Sequence, residues 1–279
     1  MGTRTLVVAI AAAISAAQTS RPPIAVEARS VQPGELVMLT LNASSTDAPS
    51  VRAFDKTIAA FHDQKGWQAI VGIDLDAKPG RYVVSVDGPK LHATHELVVQ
   101  PKTFRTRRLT VNPDFVTPPP GTADRIERDN RLLSHAWQSS AAERLWHDPF
   151  ERPVKEEANS AFGTRSIFNG QPRNAHGGAD FLSPAGTPIR SPNAGHVLIA
   201  EDLYFSGNTV VIDHGLGLFS MLAHLSAFDV HEGDEVARGQ VLGRVGATGR
   251  VTGPHLHWAV RANGARVDPL SLLAVLGGQ

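Results

Sequence analysis

The 279-residue sequence predicts an all-β protein of two units joined by a linker helix, and three observations carry that prediction. Residues 24–111 place apolar side chains at every second position between turn residues, the period of half-buried strands. Residues 112–146 break that period with prolines and then carry a helical stripe. Residues 147–279 return to short apolar runs divided by glycine turns.

The composition is that of globular protein, 42% hydrophobic and 19% charged, and the length suffices for two cores. Twenty-seven basic residues face 27 acidic ones, so charge gives no reason to expect nucleic acid or anionic lipid as a partner. Residues 1–17 read as a secretory signal peptide, with Arg4 in the positive n-region, Leu6 to Ile14 as the apolar core and Ser15-Ala16-Ala17 before the cleavage point. No later segment offers the ~18 consecutive apolar residues of a membrane span. The expectation is an exported, soluble chain, periplasmic or extracellular. Cysteine is absent; each core must therefore hold without disulfides, and a bacterial-type lipid anchor on cysteine is excluded.

Within residues 24–111, Val37, Leu39 and Leu41 alternate with polar partners, and Trp67, Ala69, Val71, Ile73 and Leu75 repeat the pattern before a Lys78-Pro79-Gly80 turn. Tyr82 to Val86 and Glu96 to Val99 follow. Short strands at this spacing predict a small immunoglobulin-like β-sandwich. His62, His92 and His95 sit among polar residues and are expected at the surface. Arg105, Arg107 and Arg108 form a short basic run able to touch an anionic partner, with a solvated edge strand as the expected placement.

Residues 112–121 read as a proline linker, and Thr122 to about Ala142 as a helix. Ile126, Leu133, Ala136 and Trp137 form its docking stripe, with Glu127, Arg128, Asp129 and Arg131 off it. This strut lets the N-terminal unit cover a groove in the second unit or deliver it to a target.

The chemistry collects in residues 147–279. His176 and Asp180 flank Gly177-Gly178-Ala179, and the glycine pair argues against helix, so the two side chains lie on an extended segment. His255 and His257 alternate with Leu256, Trp258 and Val260 and leave one face of a strand. Such a pair can put one imidazole on a metal and the other beside whatever the metal binds. Imidazole and carboxylate are good zinc donors, and three protein ligands with one open position is the pattern of a catalytic zinc site. Between these segments, Gly207 to Gly215 and Leu218 to Ser226 read as strands, the second carrying His224. Gly243, Gly246, Gly249 and Gly253 mark bends, and without a following Lys-Ser/Thr they form no phosphate loop. Strands this short imply a compact antiparallel sheet with a groove between loops. His135, His147, His196, His214 and His231 fall at turns, on the helix or in polar context, and are expected off the metal.

In order along the chain, His176-x-x-x-Asp180, Ala223-His224-Leu225-Ser226 and Gly253-Pro254-His255-Leu256-His257-Trp258 resemble the lysostaphin/LytM-type zinc endopeptidases of bacterial cell walls. The resemblance covers about residues 160–270. It implies a lysostaphin-type catalytic domain, one zinc per chain on His176, Asp180 and His257, catalytic His224 and His255 beside the activated water, and peptidoglycan peptides as substrate. His255 is the expected general base and His224 the oxyanion donor, roles that can be exchanged. Members often carry an aromatic residue where this chain has Leu222. Arg165, Tyr204 and Asn208 are the expected groove-lining residues. The alternative is a catalytically silent relative that binds peptidoglycan or activates an amidase, but such relatives usually lack a ligand and this sequence lacks none. A phosphocarrier with two close histidines is a third reading, opposed by the export signal. The sequence names no regulatory protein partner.

Overall fold

The structure is a computed structural model that describes residues 22–111, 116–159 and 162–278. The expected leader and residues 112–115 of the expected linker lie outside the described residues.

The N-terminal strands are β1 (Ile24–Ala28), β2 (Leu36–Leu41), β3 (Ser50–Ala53), β4 (Lys56–Ile58), β5 (Ala60–Asp63), β6 (Gly66–Gly72), β7 (Gly80–Gly88) and β8 (Leu91–Val99). They form two four-stranded antiparallel sheets, ordered β1-β2-β6-β5 and β4-β3-β7-β8. Val37, Leu39, Trp67 and Ala69 from the first sheet share a core with Val51, Val84, Val86 and Leu97 from the second. Each such side chain, fully withdrawn from water, contributes roughly 1.5–3 kcal/mol.

Strand β2 departs from the expected alternation. Leu36 and Met38 are buried as completely as Val37 and Leu39, because the outer face of this sheet packs on the second unit beside Phe61, Ile70, Trp146 and Phe150. A strand covered on both faces reads as a continuous apolar run, here Leu36–Leu39.

The basic run lies on an edge strand, β9 (Thr106–Leu109), but of another sheet. β9 pairs in parallel with β10 (Arg165–Phe168), which pairs with β11 (Gln171–Pro172). This strand therefore crosses from the sandwich side to the wall of the second unit.

Helix α1 (Ala123–Ala136) docks Leu132, Leu133, Ala136 and Trp137 onto Ile199 and Val211. It ends before the expected Ala142 because Ser139 donates its hydroxyl to the carbonyl of His135 at 2.9 Å, while Ser140 and the Ala141 amide donate to Asp213. Asp129, expected off the stripe, is buried on it. It lies three residues after Ile126 and four before Leu133, hence on their face.

The remaining strands are β12 (Gly178–Phe181), β13 (Pro188–Arg190), β14 (Gly195–Leu203), β15 (Gly207–Asp213), β16 (Leu218–Phe228), β17 (Glu235–Val236), β18 (Val241–Val245), β19 (Leu256–Ala262) and β20 (Ala265–Val267). They form one antiparallel sheet with the path β12-β19-β16-β15-β14-β17, to which β13, β18 and β20 attach. Trp258 and Phe181 are completely buried beneath it. A short helix not expected from the sequence, α2 (Pro269–Leu276), follows; Asp268 caps it through the Leu270 amide, and Pro269 opens its first turn.

Charged clamps join the units. Arg29 contacts both Glu35 and Asp268 at 2.7 Å, and Arg266 meets Asp74 at 2.6 Å. Burial alone would raise Glu35, but hydrogen bonds from Arg29 and Lys102 hold its carboxyl below the usual carboxylate range. No helix among the described residues is long and apolar enough to cross a membrane.

Candidate metal centre

Strand register brings two candidate ligands face to face. Asp180 of β12 stands directly opposite His257 of β19, so both side chains leave the same face of the sheet. His176 arrives from the preceding loop, which is fixed at both ends of that residue: its amide donates to the Thr164 carbonyl at 2.9 Å, and its carbonyl accepts from the Gly163 amide at 2.8 Å. Gly178 makes room for the ring of His257. A Cβ there would lie 2.7 Å from Cε1 and 2.8 Å from Nε2 of that ring, and 2.5 Å from the Trp258 carbonyl oxygen.

The three donor atoms form a nearly equilateral triangle. His176 Nε2 lies 3.0 Å from His257 Nδ1 and 3.0 Å from Asp180 Oδ1, and His257 Nδ1 lies 2.9 Å from the same oxygen. Zinc bonds of about 2.0–2.1 Å in tetrahedral geometry separate neighbouring ligands by about 3.3 Å. The triangle is within a few tenths of an ångström of that separation, and the donor set suits zinc. Among the described residues these three are the group able to hold a metal ion.

Electrostatics prepare the donors. Burial would raise Asp180, yet hydrogen bonds to His176 and His257 outweigh it and hold the carboxyl well below its ordinary range. Burial lowers His257 despite its bond to Asp180. One donor is thus anionic and another neutral at neutral pH, the states a metal requires.

His224 and His255 flank the triangle. His255 follows the expected alternation, and its Nε2 lies 3.9 Å from Asp180 Oδ1. His224 does not follow it. Leu222 opposes Trp258 and points into the core, so unbroken alternation would send His224 there too. A bulge prevents this: from Leu222 to Leu225, β16 advances three positions where β15 moves two, from Val210 to Asn208, and His224 takes a left-handed φ of 69°. Its amide donates to the Ser206 carbonyl, and its ring sits 4.8 Å from that of His255. Bulges re-aim side chains in this way beside active sites.

Each flanking imidazole is held by a backbone carbonyl. His224 Nδ1 is 3.0 Å from the Thr248 oxygen and His255 Nδ1 is 2.9 Å from the Gly253 oxygen, so each donates from Nδ1 and keeps a lone pair on Nε2 when neutral. Burial, with His257 nearby, pushes His224 down to about 4, so it is uncharged at neutral pH.

Of the expected groove residues, Asn208 donates its amide to Thr248 Oγ1 at 2.9 Å and so steadies the loop that holds His224. Tyr204 lies on the same turn, its amide accepted by Asp129 Oδ2 at 2.7 Å and its ring near Arg125. Arg165 points to Asp76 of the sandwich at 3.9 Å. Leu222 lies in the core, on the face away from the site. His214, expected in a polar setting, is fully buried: both ring nitrogens are engaged, by the Ala194 carbonyl and Ser220 Oγ, and it stands outside the donor group. Thr248 and Asp129 escaped the sequence reading. Neither carries a motif, and only the three-four spacing of Asp129 along α1 signals its burial.

Residues 174–269 match Peptidase family M23. A solved structure assigned to peptidase M23, from Pseudomonas aeruginosa, is 33% identical, covers 88% of this chain and 96% of its own, and superposes with a TM-score of 0.71. The chain belongs to this family, and the lysostaphin/LytM resemblance of its motifs agrees. Two curated relatives match over about a third of this chain. The DD-carboxypeptidase/endopeptidase Mpg of Neisseria meningitidis is 45% identical over 97 residues, 35% of this chain and 22% of the relative. The peptidoglycan DD-endopeptidase ShyA of Vibrio cholerae is 42% identical over 95 residues, 34% of this chain and 22% of the relative. The match thus spans about a fifth of the length of these curated relatives.

Proposed function

We propose that this chain is an exported zinc-dependent endopeptidase that hydrolyses peptide bonds in peptidoglycan stem peptides or cross-links, acting in the periplasm or outside the cell. The observation that carries the reading is a triangle of three donor atoms 2.9–3.0 Å apart, flanked by two imidazoles that both keep Nδ1–H on the backbone. His176, Asp180 and His257 hold one zinc ion. When bound, zinc supplies Lewis acidity that polarises the scissile carbonyl and makes water a stronger acid.

The flanking residues manage the protons. His255 accepts the proton of the attacking water at Nε2, the assignment favoured by its approach to Asp180. His224 becomes a donor to the developing oxyanion only when its Nε2 is protonated. With its pKa held at about 4, that protonation depends on negative charge growing beside it. Tyr204 and Asn208 shape the turn behind His224, and Arg165 stands at the rim towards the sandwich. The sandwich strands, residues 24–99, and helix α1 brace the peptidase unit of residues 147–279.

The test is a digest of purified peptidoglycan by the full chain, followed by mass spectrometry, with His257→Ala and a chelator as controls. New peptide termini that vanish in both controls support the reading and identify the bond. Intact peptidoglycan after incubation with zinc-loaded protein would sink it.

A further inference from the structure

A cavity of about 590 Å³ opens between the sandwich and the metal centre, and His176 is part of its wall. That volume lies within the ~300–1,000 Å³ of ligand-binding sites. Its charge is one-sided. Arg29, Lys102, Arg105 and Arg107 line it against Asp268. Arg29 is matched by Glu35 and Asp268, and Lys102 by Glu35. The Arg107 guanidinium donates to Ser166 Oγ at 2.8 Å, and neither Arg105 nor Arg107 pairs with a carboxylate among the described residues.

Both arginines belong to a wall that is built and continuous with the candidate ligands. The Arg165 amide donates to the Arg105 carbonyl at 2.8 Å, and β9 continues along β10 from there. Phe104 fills the space a side chain on Gly163 would need: a Cβ there, at a φ of 75°, would fall 2.0 Å from its ring. Gly163 in turn donates to the His176 carbonyl. Two successive contacts, Phe104 on Gly163 and Gly163 on His176, thus link the segment that carries Arg105 to a candidate zinc ligand. Arg105 and Arg107 lie outside the family match at 174–269.

Resting on the peptidase reading, we propose that this cavity is a specificity subsite in which Arg105 and Arg107 bind a free carboxylate of the peptide substrate. Guanidinium groups match carboxylates in bidentate geometry, and two of them facing one cavity favour an anionic peptide over its neutral form. A peptide lying across the candidate metal centre runs past His176 into this cavity, so the recognised carboxylate lies beside the scissile bond and is not part of it.

The experiment uses the zinc-loaded full chain with two cross-linked peptides that differ only in having free or amidated carboxylates. Wild type is expected to favour the free form about tenfold through KM. Arg105→Gln with Arg107→Gln should abolish that preference, leaving kcat within about twofold and the amidated peptide unaffected, while Arg105→Lys retains part of it. Equal losses on both peptides, or no loss on either, would overturn the subsite. Calorimetry on chelator-treated protein separates the two readings. A carboxylate preference in binding that disappears in the double variant supports the subsite even where cleavage fails, whereas equal binding of both peptides by wild type removes it.

Discussion

Gly178→Ala tests the candidate metal centre through its packing while leaving every proposed ligand in place. The new Cβ would start 2.5 Å from the Trp258 carbonyl oxygen and 2.7–2.8 Å from two atoms of the His257 ring. Restoring ordinary contact near 3.4 Å requires a displacement of about 0.6–0.9 Å. The carbonyl belongs to the ladder between β12 and β19, so the ring is the freer of the two. Metal sites tolerate about 0.2 Å in ligand distance, so zinc affinity should fall about 10–100-fold and peptide cleavage by a similar factor. Overpacking should also cost about 1–3 kcal/mol of stability. Gly177→Ala is the control, since a Cβ there meets nothing within 4 Å; its affinity should stay within about twofold. Zinc competition against a chromophoric chelator reads the affinity directly. Wild-type affinity in Gly178→Ala, or equal losses in both variants, would refute the claim that Gly178 makes space for His257.

Other expectations concern stability and positioning. Glu35→Gln should destabilise the chain by about 2–3 kcal/mol near neutral pH, because the buried carboxylate compensates Arg29 and Lys102. The folded pKa of Glu35 is lowered, so its contribution is present above the ordinary carboxylate pKa and is lost as pH falls through the folded value. Urea unfolding should therefore show a flatter acid limb in this variant. His214 has the opposite proton balance: burial holds it at about 4 against an ordinary 6.5, so the native state resists protonation. Stability should drop by roughly 3 kcal/mol as pH falls from the ordinary value towards the folded one, and His214→Gln should show a shallower slope over that window. Asp129→Ala should free the Tyr204 amide, cost about 1–2 kcal/mol and lower kcat more than KM rises. Asp129→Asn, whose carbonyl still accepts, should recover most of the rate.

Much of this architecture was legible because it repeats. Alternation located the strands around Leu39, Trp67 and Val84, and the helical stripe of Leu133, Ala136 and Trp137 located α1. The spacing of His255 and His257 put both on one face, as found. What the sequence hid depends on long-range packing. Met38 looks like one more strand residue until Trp146 and Phe150 cover the outer face that it shares with Ile70. Asp129 reads as a surface charge until the Tyr204 amide needs an acceptor. His214, between Asp213 and Gly215, looks polar in sequence, but folding surrounds it with an Ala194 carbonyl, Ser220 and the Phe150 ring.

His224 shows why the candidate site departs from the rule that locates the strands. Strict alternation along β16 would align it with Leu222 and bury it among the side chains around Trp258. The extra residue in the bulge turns it to the Ala223 side, the face that carries His257. A non-glycine residue in left-handed conformation costs about 1–3 kcal/mol, which the surrounding structure must offset. Four bonds do so: Ser206 accepts the His224 amide, the Thr248 carbonyl accepts its ring, and Thr248 Oγ1 both donates to the Leu225 carbonyl and accepts the Asn208 amide. Those partners lie up to 24 residues away, so no local pattern in Ala223-His224-Leu225-Ser226 could reveal the turn. The same distance makes the histidine's orientation a property of the whole fold: weakening Thr248 or the Tyr204 turn should disturb His224 before it disturbs the triangle of His176, Asp180 and His257.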